Sequence, residues 1–133
     1  MSKTVRTALL ALAAGGLLAA PALDARERVS GEAKLAKLLD GRVAGEPESC
    51  IRTFPHTDLT VIDGTALVYK QGRTLWVNRT HEPRDIDDND ALVSRQFGAQ
   101  LCRTDIVTTI DRNAGFYTGN IFLSDFVPYR RPG

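Results

Sequence analysis

The stretch from Thr60 to Arg79 constrains the fold more than any other, because it holds two β-prone runs on either side of a tight-turn signal. Thr65–Lys70 (Thr-Ala-Leu-Val-Tyr-Lys) and Arg73–Asn78 (Arg-Thr-Leu-Trp-Val-Asn) are apolar, β-branched and aromatic, and Gln71-Gly72 separates them. Gly72 supplies the positive φ that a tight hairpin needs, and Lys70 and Arg73 suit a solvated turn end. Two strands alone are marginal in water, so the pair must belong to a larger sheet.

The N-terminus reads as an address. Lys3 and Arg6 form a positive start, Ala8–Ala20 is an uncharged apolar run, and Ala20-Pro21-Ala22 places small residues where a signal peptidase cuts. The run is shorter than the roughly 20 residues of a spanning helix and contains Gly15-Gly16, so residues 1–22 are expected to be a signal peptide with no membrane span after cleavage. The first cysteine is Cys50, which excludes a lipoprotein signal at that cut. The remainder, Leu23–Gly133, makes one domain with one modest core: a flexible segment over 23–30, then a single β-rich domain over 31–133. Losing Lys3 and Arg6 moves the formal charge from +1 to −1. The remaining basic residues are scattered among the acids along the chain, a pattern that argues against a nucleic-acid surface.

Export gives the two cysteines a meaning. Cys50 and Cys102 are the only pair, and an oxidising compartment favours joining them. A disulfide closing a loop of about 50 residues is worth on the order of 4 kcal/mol. A redox pair would read C-x-x-C, and a structural metal site needs about four ligands.

Ahead of Cys50, Ser30 can cap a short helix that Gly41 ends, with Leu35, Leu38 and Leu39 on one stripe. Short strands are expected at 49–52, 59–62, 91–97, 104–112 and 116–123 besides the hairpin. Ile106-Val107-Thr108-Thr109-Ile110 suits a central strand, Gly119 suits a bulge, and Pro128 in Phe126–Tyr129 suits an edge or terminus. The fold class that follows is mainly β: a small antiparallel barrel or sandwich of about six short strands, one N-terminal helix and one disulfide.

Candidate sites are few. Asp85, Asp87 and Asn89 match positions 1, 3 and 5 of a calcium-binding loop, but Asp90 stands where that loop needs glycine and Gln96 where it needs a bidentate glutamate. A solvated acidic loop is therefore the plainer reading of the run. His56 and His81, near Asp58 and Glu82, lack a second histidine at zinc spacing. A catalytic set built from Ser94 or Ser124, a histidine and an aspartate has no local signature, and Asp63, Asp105, Asp111 and Asp125 lie beside turns where aspartate is expected anyway. Trp76, Tyr69, Tyr117, Tyr129, Phe116, Phe122 and Phe126 are expected mostly in the core, since alternate strand residues point inward. Asn78-Arg79-Thr80 formally matches a glycosylation acceptor. No motif calls for a catalytic residue, metal or cofactor.

The chain resembles a set of small uncharacterised bacterial proteins that carry signal peptides. The resemblance runs through Glu32–Leu39 as a short helix, Ser49-Cys50-Ile51, Ile62-Asp63-Gly64-Thr65-Ala66, Trp76-Val77-Asn78, the Asp-rich loop, Leu101-Cys102-Arg103-Thr104-Asp105 and Phe126-Val127-Pro128-Tyr129. It covers nearly all the chain after Ala22, implies export and paired cysteines, and transfers no activity. Two function classes follow: a periplasmic or secreted non-enzymatic module that binds an envelope protein or small ligand, and a small periplasmic hydrolase with loop His and Asp residues.

Overall fold

The computed structural model describes residues 15–16 and 22–133. Among them the chain forms one α-helix and ten strands: α1 (Ala22–Leu38), β1 (Val43–Ala44), β2 (Cys50–Arg52), β3 (Asp58–Ile62), β4 (Ala66–Gln71), β5 (Thr74–Asn78), β6 (Asp90–Ser94), β7 (Gln100–Cys102), β8 (Ile106–Asp111), β9 (Tyr117–Phe122) and β10 (Val127–Arg130). All pairings are antiparallel. They build a five-stranded sheet in the order β1-β10-β5-β4-β3, a two-stranded ribbon β2-β7 and a three-stranded sheet β6-β8-β9. The sheets stay open, so the mainly β fold is a sandwich and not a closed barrel. The leader expected over 1–22 falls outside the described residues apart from Gly15, Gly16 and Ala22. No helix among the described residues is long and apolar enough to cross a membrane.

β4 and β5 read as unbroken apolar runs because their sheet is covered on both faces. Alternate residues divide between two cores. Ala66, Val68, Leu75 and Val77 face α1, where Leu35 and Ile62 complete a cluster. Leu67, Tyr69 and Trp76 face the other way, into the larger core shared with Ile51, Leu101, Val107, Ile121 and Phe126. There Tyr69 meets Phe126 edge to face at 5.8 Å, and burial pushes the Tyr69 phenol above its ordinary pKa of 10. The last pair of the hairpin is Gln71 with Thr74, so its loop is Gly72-Arg73, with Gly72 at φ +56. That shifts the loop one residue past the Gln71-Gly72 read from the sequence.

Helix α1 begins at Ala22, so the segment expected to be flexible over 23–30 is helical and Ser30 lies inside the helix instead of capping it. Alanine, leucine, glutamate and arginine in that segment are strong helix formers, and their propensity extends the helix backward. Gly41 at φ +70 ends it as expected. The apolar stripe is narrower than it reads: Leu35 is 1% exposed but Leu38 is 38% exposed. Two contacts fix α1 on the sheet. A Cβ at Gly31 would stand 1.9 Å from Thr65 Oγ1, so the helix lies close against the β3–β4 turn only because that position is glycine. Glu32 pairs with Arg79 at the end of β5. The hydrogen bond from Arg79 lowers the Glu32 pKa and raises that of the arginine.

The disulfide forms. Cys50 and Cys102 are directly opposed in the β2–β7 ribbon, with Ile51 facing Leu101 beside them, both in the larger core. Across the sandwich, Asn78 joins the layers. It is fully buried; its Oδ1 accepts from the backbone N–H of Thr80 (2.9 Å) and of Ser124 (3.0 Å), and its Nδ2 donates to the Ser124 carbonyl (2.7 Å). An amide so enclosed is no glycan acceptor in the folded chain. Pro128 sits in β10, the last strand in chain order, as one of the two places expected for it, and lies one strand in from the edge, between β5 and the two-residue β1. Its carbonyl accepts from Gly45 on the β1 side. A residue's N–H and C=O point the same way across a strand, so the missing N–H also faces that short flank, where it interrupts little.

Replacing Gly31 with valine is expected to destabilise the fold by about 1–3 kcal/mol, read as a lower urea midpoint, because the side chain must displace Thr65 or the helix. The paired change Cys50→Ala with Cys102→Ala is expected to cost on the order of 4 kcal/mol in the same assay.

Candidate functional site

Two surfaces of the sandwich present groups that could engage a ligand. The first is the acidic end. A short 3-10 turn at Pro83–Asp85 leads into Ile86, whose side chain is buried in the larger core and whose carbonyl accepts from Gly64. That anchor pins the acidic run against the β3–β4 turn. Asp87 Oδ1 accepts from the Asn89 N–H (2.8 Å), and Asp63 Oδ1 accepts from the Asp88 N–H (3.3 Å). The carboxylates that gather most closely here are a different set from the one spaced along the sequence. Asp85 stays in the 3-10 turn and the Asn89 backbone serves Asp87, while Asp87 instead gathers with Asp88 and Asp63, with carboxylate oxygens within 4.8 Å of one another. All three are exposed, and Lys34 of α1 lines the same groove as Asp63 and Asp88.

Beside them Asp85, Asp87, Asp90 and Asp111 line an open depression of about 450 Å³, with Arg84 and Thr118. Asp90 is buried, and its Oδ2 takes the Thr118 hydroxyl at 2.7 Å. Thr118 is the extra residue of the bulge in β9, next to Gly119 as the sequence suggests: Thr109 pairs with Gly119 and Ile110 with Tyr117. The acidic end thus holds together through short side chains and backbone N–H groups. Oxygen ligands in such number suit a hard cation in kind, but calcium takes six to eight oxygens at close range, and two of the three gathered carboxylates, Asp63 and Asp87, already accept from backbone N–H groups.

The second surface is the outer face of the three-stranded sheet. Register places Val93, Thr108 and Asn120 side by side, Ile106 beside Phe122, and Ala91, Ile110 and Tyr117 together. None of these eight carries a charge. Val93 is 42% exposed, Ile106 49%, Phe122 54% and Tyr117 61%. The opposite face of the same strands supplies Val107 and Ile121 to the core. The expectation that most aromatics pack inward is met by Trp76, Tyr69 and Phe126 and in part by Tyr129, while Tyr117, Phe116 and Phe122 stand outside. An outward residue in the β8 run looks the same in the sequence as an inward one; the signal that finds this face is that both halves of the alternation are apolar.

No family model, curated protein or solved structure matches this chain.

The residues named for hydrolysis do not come together. His56 Nε2 lies 3.0 Å from Asp58 Oδ1, but these side chains are 80% and 63% exposed on a surface loop. His81 is exposed and donates its backbone N–H to Phe122. Ser124 is committed to Asn78 and Ser94 to Gln96. Asp105 accepts from the Cys102 N–H, Asp111 accepts from the N–H groups of the next turn, and Asp125 pairs with Arg103, so each has a structural task.

Calcium titrated against the melting temperature is expected to report an affinity weaker than about 1 mM at Asp63, Asp87 and Asp88, at the weak end of extracellular calcium modules. A tighter value abolished by Asp87→Asn would reverse that expectation.

Proposed function

We propose that this chain is an exported, non-enzymatic binding module that takes a protein partner on the outer face of β6–β8–β9. The observation that carries the reading is the uncharged face itself. Val93, Ile106, Tyr117 and Phe122 together expose on the order of 400 Å², within the range of the largest and often functional patch on a monomer. Helix α1 covers the five-stranded sheet on its outer side, and among the described residues no segment does the same for the three-stranded one. Aromatic residues on a firm strand suit such a role, because they offer contact area at little cost in side-chain entropy.

Export is supported by the leader pattern and by the Cys50–Cys102 bond, which suits a periplasmic or extracellular setting. The hydrolase reading has one point in its favour, the contact of His56 with Asp58, and both groups stand in solvent while the Thr57 hydroxyl between them donates to the Thr53 carbonyl.

The test compares the exported protein with its Ile106→Lys, Phe122→Glu variant, both immobilised and offered to envelope proteins of the host. The variant is expected to keep its melting temperature, since both sites are exposed, and to lose at least tenfold in captured partner. Equal capture by the two proteins, or turnover of an ester or peptide substrate that His56→Ala removes, would overturn the proposal.

A further inference from the structure

The cations that lie scattered along the sequence meet at one end of the sandwich. β4 runs from Ala66 beside the acidic end to Gln71 at the far end, a span of about 20 Å. At that far end Arg42 Nη1 donates to the Arg73 carbonyl (2.8 Å), Arg130 Nε donates to Thr74 Oγ1 (3.0 Å), and Gln71 Nε2 donates to the Arg52 carbonyl (2.8 Å). These contacts draw Arg42, Arg52, Arg73 and Arg130 around the tip of the β4–β5 hairpin, and Lys70 stands on the same tip. None of the five makes an ion pair with an acid among the described residues. Two acids accompany them: Asp40, two residues before Arg42, and Asp58, whose carboxylate is taken by His56.

Two phenylalanines project beside this basic tip. Phe54 is 71% exposed and Phe97 fully exposed, and with Arg52 they line an open groove of about 450 Å³. Their loops are clamped together, since Thr53 donates its N–H to the Ala99 carbonyl (2.9 Å) and its hydroxyl to Gln96 Oε1 (2.7 Å). Pairs of bare phenylalanines have no use in water. Set next to arginines that meet no acid, one of which, Arg130, also lies over the Trp76 ring at 5.6 Å, they match an interface that is anionic at its surface and apolar just beneath, and stable attachment there takes both kinds of contact.

We infer that the hairpin-tip end of the molecule docks on an anionic phospholipid surface, with Phe54 and Phe97 entering the headgroup layer, the exposed Arg52, Lys70, Arg73 and Arg130 facing the lipid phosphates, and Arg42 bracing the tip from behind. The acidic end then points away from the bilayer, which fixes the orientation of the module. The sheet face of β6–β8–β9 plays no part in this contact, so the inference stands apart from the proposed binding function.

The test is co-sedimentation of the protein purified after export with phosphatidylglycerol vesicles, with phosphatidylcholine vesicles and with soluble polyphosphate. Binding is expected to the phosphatidylglycerol vesicles alone, lost in 0.5 M salt as surface charge is screened to about 4 Å. Each cation removed is expected to lower the partition coefficient about fivefold, so Arg52→Glu with Arg73→Glu gives at least a tenfold loss. Phe54→Ser with Phe97→Ser is expected to weaken vesicle binding at least tenfold while leaving the Ile106 and Phe122 face intact. Absence of binding to anionic vesicles at low salt overturns the inference. So does binding to polyphosphate as tight as to vesicles and indifferent to the two phenylalanines, which would make the tip a site for soluble polyanions.

Discussion

The side chain of Asn78 is the point on which the two layers of the sandwich depend. It closes β5 and leaves no part of its amide in water. Burying an amide costs several kcal/mol unless its groups find partners, and here the carbonyl oxygen is shared between Thr80 and Ser124 while the nitrogen returns to Ser124. The consequence is geometric. Ser124 belongs to the short link between β9 of the outer sheet and β10 of the inner one, so one side chain sets where the chain leaves β5 and where it crosses back. Thr80 is held at φ +56 just after this contact, and His81 then donates its N–H to Phe122 at the end of β9. Phe126, fully buried two residues beyond Ser124, drops into the core between the layers because the link before it is fixed.

A second tie works by covalent means. The β2–β7 ribbon is two strands wide and could not persist alone. Ile51 and Leu101 give it a share in the common core, and the bond between the residues beside them holds their register. The ribbon also carries Arg52, whose carbonyl receives Gln71 of the hairpin, so the disulfide-bonded unit is linked to the hairpin tip.

Much of this was legible from residue order, and the parts that were not share a physical reason. The hairpin could be read because glycine at a tight turn and a dense apolar run are local signals. The cysteine pair could be read because chemistry offers them little else. β1 could not, since Val43 and Ala44 become a strand only because Arg130 and Tyr129 lie beside them. The grouping of the acids could not be read either: spacing along the chain sets Asp85 with Asp87 and Asn89, whereas the buried Ile86 lies in a loop where Asp87 and Asp88 meet Asp63 from the preceding turn. Charge shows the same limit. Arg42, Arg52, Arg73 and Arg130 are far apart in order, and antiparallel pairing returns each of them to one end.

The bulge in β9 has a wider consequence. A sheet whose outer face is uncharged and largely apolar and whose border strand is unpaired is a template on which further copies could stack, strand upon strand, into a fibre. β9 is one of the two border strands of that sheet, with β6 at the other side. The added residue at Thr118, drawn inward by Asp90 and Thr109, breaks the regular ladder partway along the border. The protein can therefore keep a greasy surface open to the outside without that border becoming a seam for its own polymerisation.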